Sequence, residues 1–370
     1  MKTETLKSAI SSIMPFLDDR GLVAEYACIN FQDTFVQASN GKMLIRFNFS
    51  EPCGINCSVS AAAFAALVRS ITAAEVFLTI ADGKLKVKAG RVNAEFVLPQ
   101  NVTYPELNFN PTTWYPVGQE YLKALFLARM TTCPDQTAGP LTGVHVMIDT
   151  AIPNKTRVIA TDRYRISLLS VEAPFIHVPA YTLHIDFIDQ VKRYASQVES
   201  VALQDNTVYA QLKDKRAILA CKLLAGDYPS TALLGAENMA LSATTAVKIP
   251  LTKPVRDAIV DAVKRQTIIQ QNLLEFDRTT RVTIKPKLGL FVLYAQEASV
   301  GAVEEEVEID TALLKDINEF NFLINPEFLT EAFSSVEWMS YIADNQLCCF
   351  GSVNFSHLIK AKYVEEELKK

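Results

Sequence analysis

Two periodicities of apolar residues succeed one another along the chain, and the succession repeats. The stretch Val59 to Ile71, VSAAAFAALVRSI, places apolar residues at the spacing of a helix. VFLTIADGKLKVKAG follows and alternates on both sides of Asp82-Gly83, a pair that suits a two-residue hairpin turn because both positions tolerate positive φ. The same order returns further along: LHIDFIDQVKRYA (183–195) predicts the helix, and VESVALQDNTVYAQL predicts a hairpin turning at Asp205-Asn206. It returns a third time, with INPEFLTEAFSSV (324–336) as the helix and WMSYIADNQLCCFG turning at Asp344-Asn345.

Each copy follows another amphipathic helix, read in LKSAISSIM (6–14), QEYLKALFLARM (119–130) and TKPVRDAIVDAVKR (252–265). Strands are expected between the two helices, as in FVQASNGKMLIRF (35–47) and TRVIATDRYRISLLS (156–170). Tyr104-Pro105 and Tyr228-Pro229 close the first two copies, where proline breaks the preceding strand. The pattern predicts an α+β chain of three repeated modules, 1–112, 113–245 and 246–370, each laying two helices against antiparallel sheet. Repetition of this kind bounds the architecture and leaves the function open.

Composition narrows the class. With 49% hydrophobic and 21% charged residues, no apolar run approaches the roughly 18 residues of a membrane span, and Met1 to Ile10 lacks the apolar core of a secretion signal, so a soluble cytoplasmic protein is expected. Seven cysteines in 370 residues point to reduced thiols rather than a disulfide framework. Cys53 and Cys57 have a metal-like spacing, but no second Cys or His pair follows at finger spacing, so neither a metal nor a cofactor is expected. The net charge of −5 is unevenly spread: the first two modules balance, with ten and twelve residues of each sign, and the last has fourteen basic against nineteen acidic. The glycines are scattered, and no His-Glu-x-x-His or Gly-x-Ser-x-Gly motif is present, so an enzyme is not expected. Asp162 beside Arg163 and Arg165 reads as a strand-end ion pair before it reads as a catalytic cluster.

Several stretches carry a more specific likeness. VIATDRYRIS (158–167), LLAGDYPS (223–230), KAGRVNAEFVLPQNVTYPEL (88–107) and FLINPEFLTEAF (322–333) resemble, in order and spacing, segments of the β subunit of bacterial DNA polymerase III, the sliding-clamp family. The resemblance covers essentially the whole chain. It implies DNA-clamp modules closing as a head-to-tail dimeric ring around double-stranded DNA, with the replicative DNA polymerase and the clamp loader as partners and no membrane association. A scaffold that keeps the clamp fold without encircling DNA is the alternative.

Residues for each role follow from the resemblance. Lys7, Arg20, Arg69, Lys123, Arg129, Lys192, Arg193, Lys253, Arg256, Lys264 and Arg265 would face DNA. Over the first five helix segments, ten bases outnumber Glu120, Asp186, Asp189, Asp257 and Asp261; the sixth, with Glu327, Glu331 and Glu337 and no base, runs the other way. A cleft for partner peptides would be lined by Leu141, Thr161, Arg163, Tyr164, Arg165, Ile166, Pro229, Leu233, Leu234, Leu358 and Ile359. Arg163 and Tyr164 stand where the family has Gly and His, and Lys360 and Lys362 where it tends to have methionine, which implies an altered peptide preference. The dimer contact would join Arg69, Ala94 and Phe96 to Val260, Val263, Glu304, Glu305 and Glu306 of a second copy.

Overall fold

The computed structural model of the chain describes residues 1–18, 23–100, 102, 104, 110–149, 154–172, 174, 178–229, 247–274, 277–342, 346–352 and 355–361. The predicted turn at Asp344-Asn345 lies outside them, as do Pro105 and Lys362. The chain forms two compact units, one of Met1–Leu122 with Leu183–Leu224 and one of Lys123–Thr182 with Ala225–Lys370.

The first unit is built on an eight-stranded antiparallel sheet. Its strands run in the order β4 (Cys57–Ser60), β1 (Cys28–Gln32), β2 (Phe35–Ser39), β3 (Met43–Asn48), β15 (Ala217–Lys222), β14 (Thr207–Leu212), β13 (Val198–Gln204) and β8 (Tyr115–Pro116). A three-stranded sheet of β5 (Phe77–Ala81), β6 (Lys84–Ala89) and β7 (Val92–Val97) completes it. The two predicted hairpins form as read: Asp82 and Gly83 take φ of 56° and 69°, and Asp205 and Asn206 take 51° and 56°. Helices α1 (Thr3–Ile13) and α2 (Ala61–Ser70) contact each other, and Phe64 of α2 meets Phe31 and Phe96 edge-on, each at 5.5 Å. One fully buried ring thus ties the helix to both sheets, and its truncation to alanine would cost about 3–5 kcal/mol.

The second unit repeats the plan. Its eight-stranded sheet has the order β12 (Ala180–His184), β9 (Gly143–Ile148), β10 (Thr156–Thr161), β11 (Arg165–Val171), β23 (Phe355–Lys360), β22 (Leu347–Ser352), β21 (Trp338–Ile342) and β16 (Ile249–Pro250). Beside it lies a four-stranded sheet, β20 (Phe320–Ile324), β17 (Thr280–Lys285), β18 (Leu290–Glu297) and β19 (Gly301–Glu308). Phe333 at the end of the helix Pro326–Phe333 contacts Phe291 at 6.0 Å and Phe350 at 5.3 Å, as Phe64 does in the first unit. Among the described residues the other α-helices are α3 (Gln119–Ala128), α4 (Ile185–Arg193) and α5 (Lys253–Ile269), and Pro326–Phe333 is α6.

Two single strands expected from sequence are hairpins: 35–47 divides into β2 and β3, and 156–170 into β10 and β11. Strand pairing also joins segments far apart in the sequence. In the first unit Phe47 to Met43 of β3 pair with Ala217 to Cys221 of β15, and in the second Arg165 to Leu169 of β11 pair with Ile359 to Phe355 of β23. Each large sheet is therefore two four-stranded halves joined along a seam. In strand order β19 ends its sheet as β3 and β11 end their halves, and β7 ends its sheet as β15 and β23 end theirs; among the described residues neither edge has a partner strand.

Candidate functional site

In the second unit the turn between β10 and β11 is held by its own side chains. Asp162 Oδ1 accepts from the amides of Tyr164 and Arg165, each at 3.0 Å, while Oδ2 accepts from Arg165 Nε at 2.8 Å. Thr161 Oγ1 accepts from the Arg163 amide at 3.0 Å and donates to the Arg165 carbonyl at 2.8 Å. The Arg165 guanidinium lies 4.0 Å over Phe328 and pairs with Glu331 as well. This closed set fixes Arg163 at φ 80°, a left-handed conformation that disfavours a side chain. Asp162 is thus the ion pair that its neighbours suggested.

An apolar cluster lies next to this turn: Leu141, Ile159, Ile166, Cys133 and Tyr228, with Met147 and Leu168 at its margin. The Tyr228 ring stacks on His145 at 4.5 Å, and burial holds His145 at about 4 and raises the Tyr228 phenol. Of the residues assigned to the peptide cleft, the structure brings Leu141 and Ile166 together in this cluster. Leu358 stands opposite Ile166 across the seam, in an adjoining cluster with Leu347 and Cys349. Arg165 and Ile359 also pair with each other, but alternation along the strands turns them to the opposite face, where α6 takes Arg165 and Ile359 is fully buried. Arg163 and Tyr164 are exposed, Pro229 is half-buried, and Leu233 and Leu234 lie outside the described residues.

The basic residues assigned to DNA fall into two groups. Arg69, Lys123, Lys192, Arg193 and Lys253 are exposed. The others are engaged or set back: Lys7 lies 3.5 Å from Glu4, Lys264 3.2 Å from Asp261, and Arg265 Nε reaches both oxygens of Glu305 at 3.0 Å. Arg256 is half-buried and donates to the Val336 carbonyl; Arg129 is half-buried in the 3-10 turn after α3; Arg20 lies outside the described residues. The acidic sixth helix is balanced from within its unit, since Glu327 pairs with Arg278 at 2.9 Å and Glu331 with Arg165. Sequence reading missed a basic turn at Lys213, Lys215 and Arg216, all exposed in the first unit, because a turn between strands carries no helical period.

The two open edges contain the residues assigned to the dimer contact. On β7, Ala94 and Phe96 face α2, and Glu95 faces away, 2.9 Å from Lys84 and 3.8 Å from Lys86. On β19, Val303, Glu305 and Val307 are half-buried on the face toward α5, while Glu304, Glu306 and Glu308 are exposed on the other. Val260 is half-buried, and Val263 is fully buried in the core of its unit. Among the described residues no group of His, Cys, Asp and Glu is placed to hold a metal, the seven cysteines are unpaired, and no helix is long and apolar enough to cross a membrane.

No family model matches the chain, and no curated protein matches it. Solved structures do. The β sliding clamp of Caulobacter crescentus aligns with a TM-score of 0.78 at 17% identity over 98% of both chains. The DNA polymerase III β subunit of Bartonella birtlesii, bound to griselimycin, gives 0.80 at 15% identity over 98% of both. The DNA polymerase sliding clamp of Bacillus subtilis gives 0.79 at 14% identity over 99% of this chain and 98% of that one. The chain has the fold of the bacterial sliding clamps, as the resemblance in its sequence implied.

Proposed function

We propose that this chain is a DNA sliding clamp: two copies close head to tail, encircle duplex DNA and tether the replicative polymerase, with a clamp loader to open the ring. The modules are 1–112, 113–245 and 246–370. The observation that carries the reading is the pair of unmatched edges. Two seams of one kind are filled within the chain, β3 with β15 and β11 with β23, and the third set of half-sheets ends on β19 and β7. An open edge with unpaired backbone groups invites another strand, and a second copy supplies the complement in both directions.

The side chains suit that pairing. Val303 and Val307 would continue the apolar face of Ala94 and Phe96, while Glu304, Glu306 and Glu308 would come near Lys84, Lys86 and Lys88 of β6 on the outer face. Around the hole, Arg69, Lys123, Lys192, Arg193 and Lys253 would meet phosphates, which recur identically along any sequence and so permit sliding. Tethering turns repeated rebinding of the polymerase into an intramolecular event. Leu141, Ile166 and Leu358 would seat the apolar anchors of partner peptides, with Arg163 and Tyr164 at the rim. No chemical step is involved.

Light scattering on the full chain at micromolar concentration tests closure, with a dimer expected. The same protein, loaded on circular DNA, should be retained through gel filtration and lost once the circle is linearised. A strict monomer, or retention indifferent to linearisation, would leave a scaffold with the clamp fold. Glu304→Lys combined with Glu306→Lys should convert dimer to monomer.

A further inference from the structure

The basic turn missed in the sequence borders a cavity that the clamp reading does not use. The cavity, of about 350 Å3, lies in the first unit beside α1, at the end of the seam where β3 leaves and β15 enters. Phe47 and Phe49 form its apolar wall, Thr5 and Ser50 bring hydroxyls, and Lys215 and Arg216 bring positive charge. Asp214 is the single carboxylate on its lining among the described residues.

The turn is held in place. The Asn48 amide donates to the Arg216 carbonyl at 2.9 Å, and Asn48 Nδ2 donates to the Lys215 carbonyl at 2.7 Å. Asp214 and Lys215 both take left-handed backbone, φ 60° and 52°, without being glycine. The Arg216 guanidinium sits 5.1 Å over Phe47 and reaches Ser8 Oγ at 2.5 Å, so its charge is aimed along α1. Phe49 is half-buried, stacked on Phe31 at 6.4 Å. The Lys213 amide donates to the Gln197 carbonyl at 2.8 Å, and the Tyr194 hydroxyl to the Ser12 carbonyl at 3.2 Å. These bonds place the turn, α1 and the chain following Lys192 and Arg193 of α4 on one side of the unit.

A cavity at the small end of the roughly 300–1,000 Å3 range takes one small ligand. Cations at the rim recognise a phosphate, an aromatic wall recognises a flat ring, and hydroxyls satisfy the polar edge of that ring. The cations continuing toward α4 follow a backbone of further phosphates. We infer that this cavity binds a nucleotide, with its phosphate on Lys215 and Arg216 and its base against Phe49, presented by an unpaired stretch of DNA strand. The inference is independent of ring closure, since every residue it uses belongs to one unit of one chain.

The test uses the full chain and fluorescein-labelled dT12 at low salt, followed by anisotropy. Wild type should bind dT12 at least about fivefold tighter than an abasic strand of equal length and charge. Phe49→Leu should abolish that preference. Lys215→Gly combined with Arg216→Gln should reduce the slope of log affinity against log salt by about 1.4, as expected for two phosphate contacts to a single strand. Glycine eases the left-handed backbone at 215, so weaker binding with an unchanged or higher melting temperature separates binding from folding. Competition by dTMP distinguishes the sources: displacement at dTMP concentrations similar to dT12 assigns the site to free nucleotides, and its absence assigns it to a strand. Equal binding of the abasic strand, an unchanged salt slope in the double variant, or no binding of either dT12 or dTMP would overturn the inference.

Discussion

At neutral pH the buried imidazoles of His145 and His357 are uncharged, and acid should therefore loosen the second unit. His357 lies in the seam strand β23 with no exposed surface, facing Ser167 across the seam at 3.5 Å and meeting the edges of Phe350 and Phe355. Burial first, and the Arg165 guanidinium second, hold it at about 3; burial alone holds His145 at about 4. Both folded values lie below the roughly 6.5 of an unfolded chain, so the unfolded state takes up the proton first. Stability is complete above about pH 6.5 and falls as the pH drops toward the folded values. At pH 5 each histidine costs about 2 kcal/mol relative to pH 7.5, at 1.36 kcal/mol per unit. The chain has two tryptophans, Trp114 in the first unit and Trp338 in the second, so Trp338 fluorescence in a Trp114→Phe background reports the second unit alone. In urea titrations at pH 7.5 and 5.0, His357→Phe should lose about 2 kcal/mol less between the two conditions than its parent. Any packing cost of the larger ring is the same at both pH values and cancels. Equal losses in variant and parent would refute the assignment of acid sensitivity to His357.

Gly351→Ala should be among the most damaging single changes, because a Cβ there would stand 2.3 Å from Trp338 Cζ2 and 2.7 Å from the Phe355 carbonyl; a loss of about 3 kcal/mol or failure to fold is expected in the same titration. Asp162→Ala removes the acceptor of two amides and of the buried Arg165 side chain, for a loss of roughly 3 kcal/mol and faster hydrogen exchange of the Tyr164 and Arg165 amides. Arg163→Gly relieves a left-handed strain of about 1–3 kcal/mol and adds about 0.5–1 kcal/mol of chain freedom, so a net gain near 1 kcal/mol should appear as a higher midpoint.

The hairpins at Asp82-Gly83 and Asp205-Asn206 were legible because turn chemistry is local. Other boundaries were not. Val59 and Ser60 belong to β4, although Val59 falls in phase with the helix that follows. Helix α5 runs on to Ile269 through Gln266, which looks like a solvent-facing residue but is buried, its Oε1 accepting from Thr280 Oγ1 at 3.0 Å. The strands of 35–47 and 156–170 conceal turns at Gly41 and Arg163; glycine marks the first, and nothing in an arginine marks the second. The glutamates of α6 read as an unbalanced acidic helix because their partners, Arg278 and Arg165, are distant in sequence. Of the candidate cleft, side-chain types were legible, but which strand face each residue takes was not, and Arg165 and Ile359 show the consequence.

The unequal charge along the chain acquires a location once the seams are known. Of the excess acid in residues 246–370, Glu304, Glu305, Glu306 and Glu308 fall within one strand, β19. Arg265 holds Glu305 on the helix side, leaving three exposed glutamates on the outer face of an open edge. Acid so placed keeps that edge from pairing with another β19, since like charges directly opposite are destabilising. On the same face β7 carries one acid, Glu95, but the three lysines of β6 behind it, Lys84, Lys86 and Lys88, outnumber it and favour this edge over a second β19. In the proposed ring, charge would thus select head-to-tail over head-to-head closure; that selection should weaken as salt is raised, so the proposed dimer should dissociate more readily at 1 M than at 0.1 M salt.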